Sequence, residues 1–427
     1  MIDRLAHRLP FYYGWVILFA AGSSMFSRNA AASLTLAVFI YPISQELGWS
    51  RTLIAGAAGL GGLVSSVASP AAGWALDRYG ARLLLTLSVL VLGLSTISLA
   101  WATVPLFFYL AYGTGRVIFS SSVQIGASVV VSRWFIKQRG RATGLLFVSH
   151  SIGMVLFPLT AGFVISTWGW QQAWILLGVL VWAGALAPVS LLIRQSPEAL
   201  GLRPDGEPLE PPDLIEEHAG SRARPEEPGW TLRQASRTPT LWLLALATGS
   251  LFLLQAGTNI HQGAYFIDQG LGVAISTVSI SLNAVFTGVG SIAWGWLVER
   301  VPVRYTYAGV ALLMTAALAL FTIADTPVEA LVAASMFGGA VGGILVVPVV
   351  AYADYFGRRS LGAIRGVTEP FVSLGQAIGA VFSGLIFDFT GSYHYAFAIL
   401  AGLGFATMFL LLLAKPPLPT PAQTQQL

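Results

Sequence analysis

The sequence predicts an all-α membrane protein with twelve transmembrane helices in two pseudo-symmetric six-helix bundles. Three observations carry that prediction. Of the 427 residues, 55% are apolar and 10% charged, against roughly 25% charged in an ordinary soluble chain. The apolar residues gather into twelve long runs separated by basic or Gly/Pro-rich breaks. Finally, a set of motifs recurs in the same order at spacings of 221–223 residues. This composition excludes a soluble enzyme, and it excludes a disordered chain, which needs high charge and low hydrophobicity. With no cysteine, disulfides and thiolate metal sites are excluded too. Neither a GxxxxGK[ST] phosphate loop nor any other enzyme motif is present, and no cofactor is implied.

About 20 apolar residues are needed to cross a bilayer. The runs cover approximately 12–41, 52–76, 83–103, 105–132, 140–166, 169–193, 239–268, 273–298, 305–324, 328–354, 361–387 and 393–414. The first far exceeds the ~7–15 residues of a cleaved signal core, so it reads as a span. Runs above the minimum length suit tilted or cavity-lining helices. Residues 194–238 carry seven prolines and nearly half of the acidic residues, which describes a linker with little core of its own. The organisation expected is an N-terminal bundle over 1–193, a cytoplasmic linker over 194–238, a C-terminal bundle over 239–414 and a disordered tail over 415–427.

Basic residues set the topology. With both termini inside, the segments on that side hold 20 of the 23 Lys and Arg, counting Arg4, Arg8, Arg222 and Arg224 and, before the eleventh run, Arg358, Arg359 and Arg365; only Arg51 lies outside. This is the positive-inside bias of a cell (inner or plasma) membrane protein with cytoplasmic termini. Arg28 and Arg116 are left over, both within runs.

The two halves repeat. Gly73-Trp-Ala-Leu-Asp77-Arg78-Tyr-Gly80-Ala-Arg82 returns 222 residues later as Gly295-Trp-Leu-Val-Glu299-Arg300-Val-Pro302-Val-Arg304. Glu46 matches Asp268, Trp134-Phe135 matches Tyr355-Phe356, and Ala173-Trp174 matches Ala396-Phe397. Such order implies two parallel units related by an axis along the membrane normal.

The loop motif resembles the signature GxxxD(R/K)xGxR of the major facilitator superfamily, matched by Gly73, Asp77, Arg78, Gly80 and Arg82. More narrowly, the chain is similar to bacterial relatives of monocarboxylate transporters and oxalate/formate exchangers. That similarity rests on Gly48-Trp49-Ser50-Arg51, on Trp134-Phe135-x-Lys137-x-Arg139-Gly140-x-Ala142-x-Gly144, on Pro197-Glu198-x-x-Gly201-Leu202-Arg203-Pro204-Asp205-Gly206 and on Gly391-Ser392-Tyr393. The resemblance implies alternating access about a central site lined by helices 1, 4, 7 and 10. Many monocarboxylate transporters carry an acidic–basic pair in helix 8, where this chain offers only Asn283, Thr287 and Ser291.

The central arginines carry the functional expectation. At 1.5 Å per residue, Arg28 lies roughly 24 and 20 Å from the ends of its run and Arg116 roughly 17 and 24 Å from the ends of its own. A charge at such depth costs ~2.5–3.5 kcal/mol. Both are therefore expected to face a wet cavity or a partner, and no acidic residue stands at their depth; the deepest, Glu369, is eight residues into its run. A planar guanidinium fork suits a carboxylate, so Arg28 and Arg116 are substrate-binding candidates, against the alternative that they brace neighbouring helices. Arg116 also stands where many family members place a helix-4 arginine tied to proton coupling. The repeat places Ser250 and Gly338 opposite them, confining the charges to one half. Asn259, Asn283 and Tyr265, with Gln255 nearby, supply neutral polar groups, interhelical hydrogen bonding being the alternative role. His150, His261 and Glu369 are the proton-coupling candidates, each of them equally readable as structural. Gly73, Asp77, Arg78, Arg82, Arg133, Arg141, Glu299 and Arg300 are the candidate cytoplasmic gate, with Asp77 taking hydrogen bonds from arginines or from a helix N-terminus. The function expected is proton-coupled symport of a small organic anion, a monocarboxylate first, by a monomer that needs the lipid bilayer and no nucleic acid. Anion exchange, proton-driven efflux of hydrophobic compounds and a non-transporting receptor are the competing readings.

Overall fold

A computed structural model describes residues 9–207 and 229–417. Arg4, Arg8, Arg222 and Arg224 of the topology argument, most of the linker and tail residues 418–427 lie outside them. The described residues form helices and no strands. Among the described residues twelve helices are long and apolar enough to cross a membrane: α1 (Gly14–Leu47), α2 (Leu53–Tyr79), α3 (Ala81–Trp101), α4 (Pro105–Trp134), α5 (Arg139–Trp168), α6 (Trp170–Leu192), α7 (Pro239–Asn259), α8 (Ala274–Val298), α9 (Val303–Ile323), α10 (Pro327–Phe356), α11 (Leu361–Thr390) and α12 (His394–Leu413). The chain is thus an integral membrane protein with two six-helix halves.

Helix starts and stops follow local chemistry. The Ser50 hydroxyl accepts the Leu53 amide at the start of α2. Thr326 and Glu329 make a reciprocal capping box before Pro327 opens α10, satisfying amides that have no intrahelical partner. Gly48 ends α1 at φ 67°, a left-handed conformation that glycine adopts without a Cβ penalty.

Three departures from a regular helix shape the interior. The backbone of α1 tightens to a 3-10 turn over Arg28–Ala31 and turns extended at Ala32. In α4 the turns widen to π spacing over Ile118–Val123, and such widened turns are frequent at functional sites. Beyond α7, the seventh run breaks at Ile260–His261 and resumes as a short helix, Gln262–Asp268.

Within each half the helices pack closely, and between halves the main contacts are α2 with α11 and α5 with α8. Among the described glycines, every tight approach between halves lies toward the end that carries the basic loops. Gly73 faces the Gly362 carbonyl, Gly140 faces the Gly295 carbonyl, and Gly144 faces the Ser291 carbonyl, none with space for a Cβ. Small residues of this kind allow helix backbones to touch. Gly73 and Gly295, like Gly140 and Gly362, are 222 residues apart, so the same contact is built twice.

Candidate functional site

The breaks in α1 and α4 meet at one aromatic ring. Arg28 and Arg116 place their guanidinium carbons 4.3 and 4.7 Å from the Phe119 ring centroid, a cation–π arrangement that partly offsets desolvation. Arg28 is 1% exposed; its Nη1 donates to the Phe119 carbonyl at 2.9 Å and to Gln124 Oε1 at 2.5 Å. Phe119 lies in the π-spaced segment, where the widened ladder leaves its carbonyl available to a side chain. Arg116 is half-buried, its stem resting on Gly61. Among the described residues no hydrogen bond or ion pair reaches its guanidinium, and its buried Nε, like that of Arg28, has no partner. Among the described residues no carboxylate touches either arginine directly.

A carboxylate does stand one link away. Glu369 is 3% exposed; its Oε1 accepts from Gln124 Nε2 at 3.2 Å and its Oε2 from Arg365 at 3.3 Å. This corrects the assignment of Arg365 to the basic loop group. It lies inside α11, 5% exposed, held there by Glu369 one turn further along the same face. Among the described residues the centre therefore contains three cations and one anion, which corrects the expectation that no acidic residue stands at the depth of the arginines. Phe119, Gln124 and Arg365 were not singled out from the sequence; only the four-residue spacing of Arg365 and Glu369 offered a signal.

The neutral groups are arranged differently from expectation. Asn283 donates to Asn259 at 2.8 Å and to Gln262 at 3.0 Å, tying α8 to the break after α7. Asn259 is eleven residues beyond Thr248, which faces Glu369 across a small cavity, so this amide cluster lies about 16 Å along α7 from the charged centre. Tyr265 does not join the arginines: its hydroxyl bonds the Phe321 carbonyl at 2.6 Å and its ring packs against Phe266, Phe321 and Phe397. His150 is buried, with Nδ1 3.1 Å from Asn29 Nδ2 and its ring edge-on to Phe119. His261 bridges the Ala380 carbonyl at 3.0 Å and the Tyr393 hydroxyl at 3.2 Å, away from Arg28.

At the basic end, Asp77 accepts from Arg133 at 2.7 Å and from the amides of Gly362 at 3.2 Å and Ala363 at 2.7 Å. Of the four arginines considered for it, only Arg133 is its partner. Arg82 donates to the Ser190 carbonyl, Arg78 stacks on Trp74 and Tyr79, and Arg141 binds Glu299 through both its amide and its Nε, at 2.8 and 2.7 Å. Arg300 stacks on Trp296 at 3.8 Å. Arg139, 2% exposed, pairs with Asp354 across the halves.

Comparison with known proteins agrees with this architecture. A family profile described as Major Facilitator Superfamily matches residues 17–368 and again 250–426. Monocarboxylate transporter 11 of Mus musculus is 26% identical over 397 residues, covering 91% of this chain and 84% of that protein. Monocarboxylate transporter 13 of Bos taurus is 24% identical over 407 residues, covering 92% and 88%. Among solved structures, the human organic anion transporter MFSD10 aligns with TM-score 0.70 at 13% identity, covering 93% of this chain and 98% of that one. The proton:xylose symporter XylE aligns at 0.69 and 15% identity, covering 94% and 95%; at such identities the likeness is one of fold. Twelve spans, duplicated halves and a profile that runs through both lead to one conclusion: the chain belongs to the Major Facilitator Superfamily and is a membrane transporter, not an enzyme.

Proposed function

We propose that this transporter carries a small organic anion, a monocarboxylate first, by proton-coupled symport with alternating access. The observation that carries the reading is the Arg28–Phe119–Arg116 stack, two guanidinium groups on one ring with no carboxylate of the described residues directly on either. Arg116 keeps an unpartnered buried Nε and no protein hydrogen bond among the described residues, so its fork is free to take the two oxygens of a carboxylate. The names of the monocarboxylate transporter relatives point to the same class of cargo.

The basic loops assign the end held by Asp77 and Glu299 to the cytoplasm of a cell-membrane protein, with both termini there. On that assignment the bundles, 1–193 and 239–414, are joined by a cytoplasmic linker over 194–238 and are closed on the cytoplasmic side in this state. The transporter works as a monomer in the bilayer. The test is uptake of labelled lactate into liposomes containing the purified protein, with and without an inwardly directed proton gradient, together with thermal-shift screening of a carboxylate panel. Wild type should accumulate lactate only with the gradient. Arg28→Ala and Arg116→Ala should lose both uptake and carboxylate stabilisation, since bound ligand stabilises by mass action. Undiminished stabilisation of both variants by the same acids would sink the site.

A further inference from the structure

Among the described residues Glu369 is the only acidic side chain in the buried class. It is held from two sides, by Arg365 of its own helix and by Gln124 of α4 in the other half. The orientation of Gln124 follows from chemistry. A guanidinium can only donate, so Gln124 Oε1 faces Arg28 and its amide NH2 faces the carboxylate. The amide is a neutral dipole set between a cation of one half and an anion of the other. Beside it lies a cavity of about 10 Å³, lined among others by Gln124, Tyr352, Arg365 and Glu369, which is close to the room one water needs. The Tyr352 hydroxyl and Arg365 Nε, both buried, have no partner, so a water there would find two to four polar contacts and reach the carboxylate.

We propose, resting on the symport reading above, that Glu369 binds the coupled proton and that Gln124 links its charge to anion occupancy at Arg28. While Glu369 is ionised, the Gln124 NH2 is fastened to it and Oε1 occupies an Arg28 N–H that a substrate carboxylate requires. Uptake of one proton converts the carboxylate to a neutral acid, removes the charge-assisted part of that bond and lets Gln124 release Arg28 to the anion. Proton and anion load together, and the added charges cancel before the bundles rock. Reopening to the other side returns the proton and the anion to water.

The groups around Glu369 are accounted for element by element. Arg365 comes from α11, Gln124 and (beyond Phe119) Arg116 from α4, and Arg28 from α1. Tyr352 comes from α10, and the hydrogen-bonded Thr248 and Tyr307 from α7 and α9. Asp77 of α2 and Arg133 of α4 engage the first turn of α11, nearer the basic end. His150, the other buried titratable group near Phe119, presents Nδ1 to the Asn29 amide, whose nitrogen also lies within bonding distance of the Met25, Phe26 and His150 carbonyls.

The test uses the full chain in detergent with lactate as the probe. Proton uptake on lactate binding is read with an indicator dye in weak buffer, and lactate affinity is followed across about pH 5–8. Wild type should take up about one proton per lactate, with affinity rising as pH falls by at most about tenfold per unit, the limit for one linked proton. Glu369→Gln should bind lactate with a flat pH profile and no proton uptake. Glu369→Asp, which keeps a carboxyl group, should restore uptake. Gln124→Met, of similar length without the amide, should bind lactate with an affinity that no longer changes with pH. Wild-type proton uptake in Glu369→Gln would overturn the proton assignment, and a wild-type pH profile in Gln124→Met would overturn the coupling role. Failure of the parent reading looks different: wild type would then bind lactate without a proton, or not bind it at all.

Discussion

Asp77 and Glu299 stand at the same place in the two halves, 222 residues apart, and each grips the first turn of a helix from the opposite half. Asp77 accepts the Gly362 and Ala363 amides at the start of α11, and Glu299 accepts the Arg141 amide at the start of α5. Amides in a first helical turn have no intrahelical partner and lie at the positive end of the helix dipole. One device thus closes the basic end twice, with Arg133 and Arg141 adding charge to each grip.

Loosening the first grip should open that end. The chain has no cysteine, so Ser291→Cys, at a fully buried position under Gly144, reports opening by its reaction with a maleimide. Adding Asp77→Asn should speed labelling about tenfold, in line with the ~1.5–3 kcal/mol of a hydrogen bond to a charged group. Glu299→Gln should do less, because the Arg141 side chain is 49% exposed where Arg133 is 7% exposed, and exposed pairs contribute only ~0–1 kcal/mol.

A side chain at Gly140 should also hinder this closure, by overpacking instead of by a lost bond. It would meet the Gly295 carbonyl, a backbone atom that cannot rotate away. Gly140→Val is expected to cut lactate transport about tenfold or more, the usual cost of overpacking being ~1–3 kcal/mol. Gly59→Val, at a position with nothing within 4 Å, should transport as wild type. Equal rates for the two variants would contradict the contact.

The two central arginines should respond differently to lysine. Arg28 holds a carbonyl and an amide through one nitrogen, and an ammonium cannot keep both and still present a planar fork. Arg28→Lys should lower the melting temperature and weaken lactate binding about tenfold or more. Arg116→Lys should leave melting unchanged, since Arg116 makes no protein hydrogen bond among the described residues, and should weaken only binding. Calorimetric melting and ligand titration separate the two.

Tyr265→Phe tests a candidate that the structure sets apart from the arginines. Loss of the bond to the Phe321 carbonyl should cost about 0.5–1.5 kcal/mol of stability and leave lactate affinity unchanged. A fall in affinity would return Tyr265 to the site.

The spans were legible because length and apolarity are written in local composition. Their interruptions were not. Apolarity ends the first run near Tyr41, yet the helix continues through Ser44, Gln45 and Glu46 to the left-handed Gly48. The seventh run reads as continuous, yet it breaks where His261 is pinned between Ala380 and Tyr393. Arg28 and Arg116 stood out because a charge deep in an apolar run is costly wherever the chain folds. Gln124 and Phe119 did not, since one neutral amide and one ring in such a run follow no pattern. Their meaning comes from α4 lying between α1 and α11, a relationship between residues 96 and 245 apart in the chain.

The widened turns of Ile118–Val123 separate Arg116 from Gln124 and Arg133 on a single helix. A helix spliced in this way is not one stiff rod. Its upper part can keep station beside the ring while its lower part swivels with the latch, so the proposed seat for the cargo and the proposed door beneath it belong to one element without having to turn through the same angle.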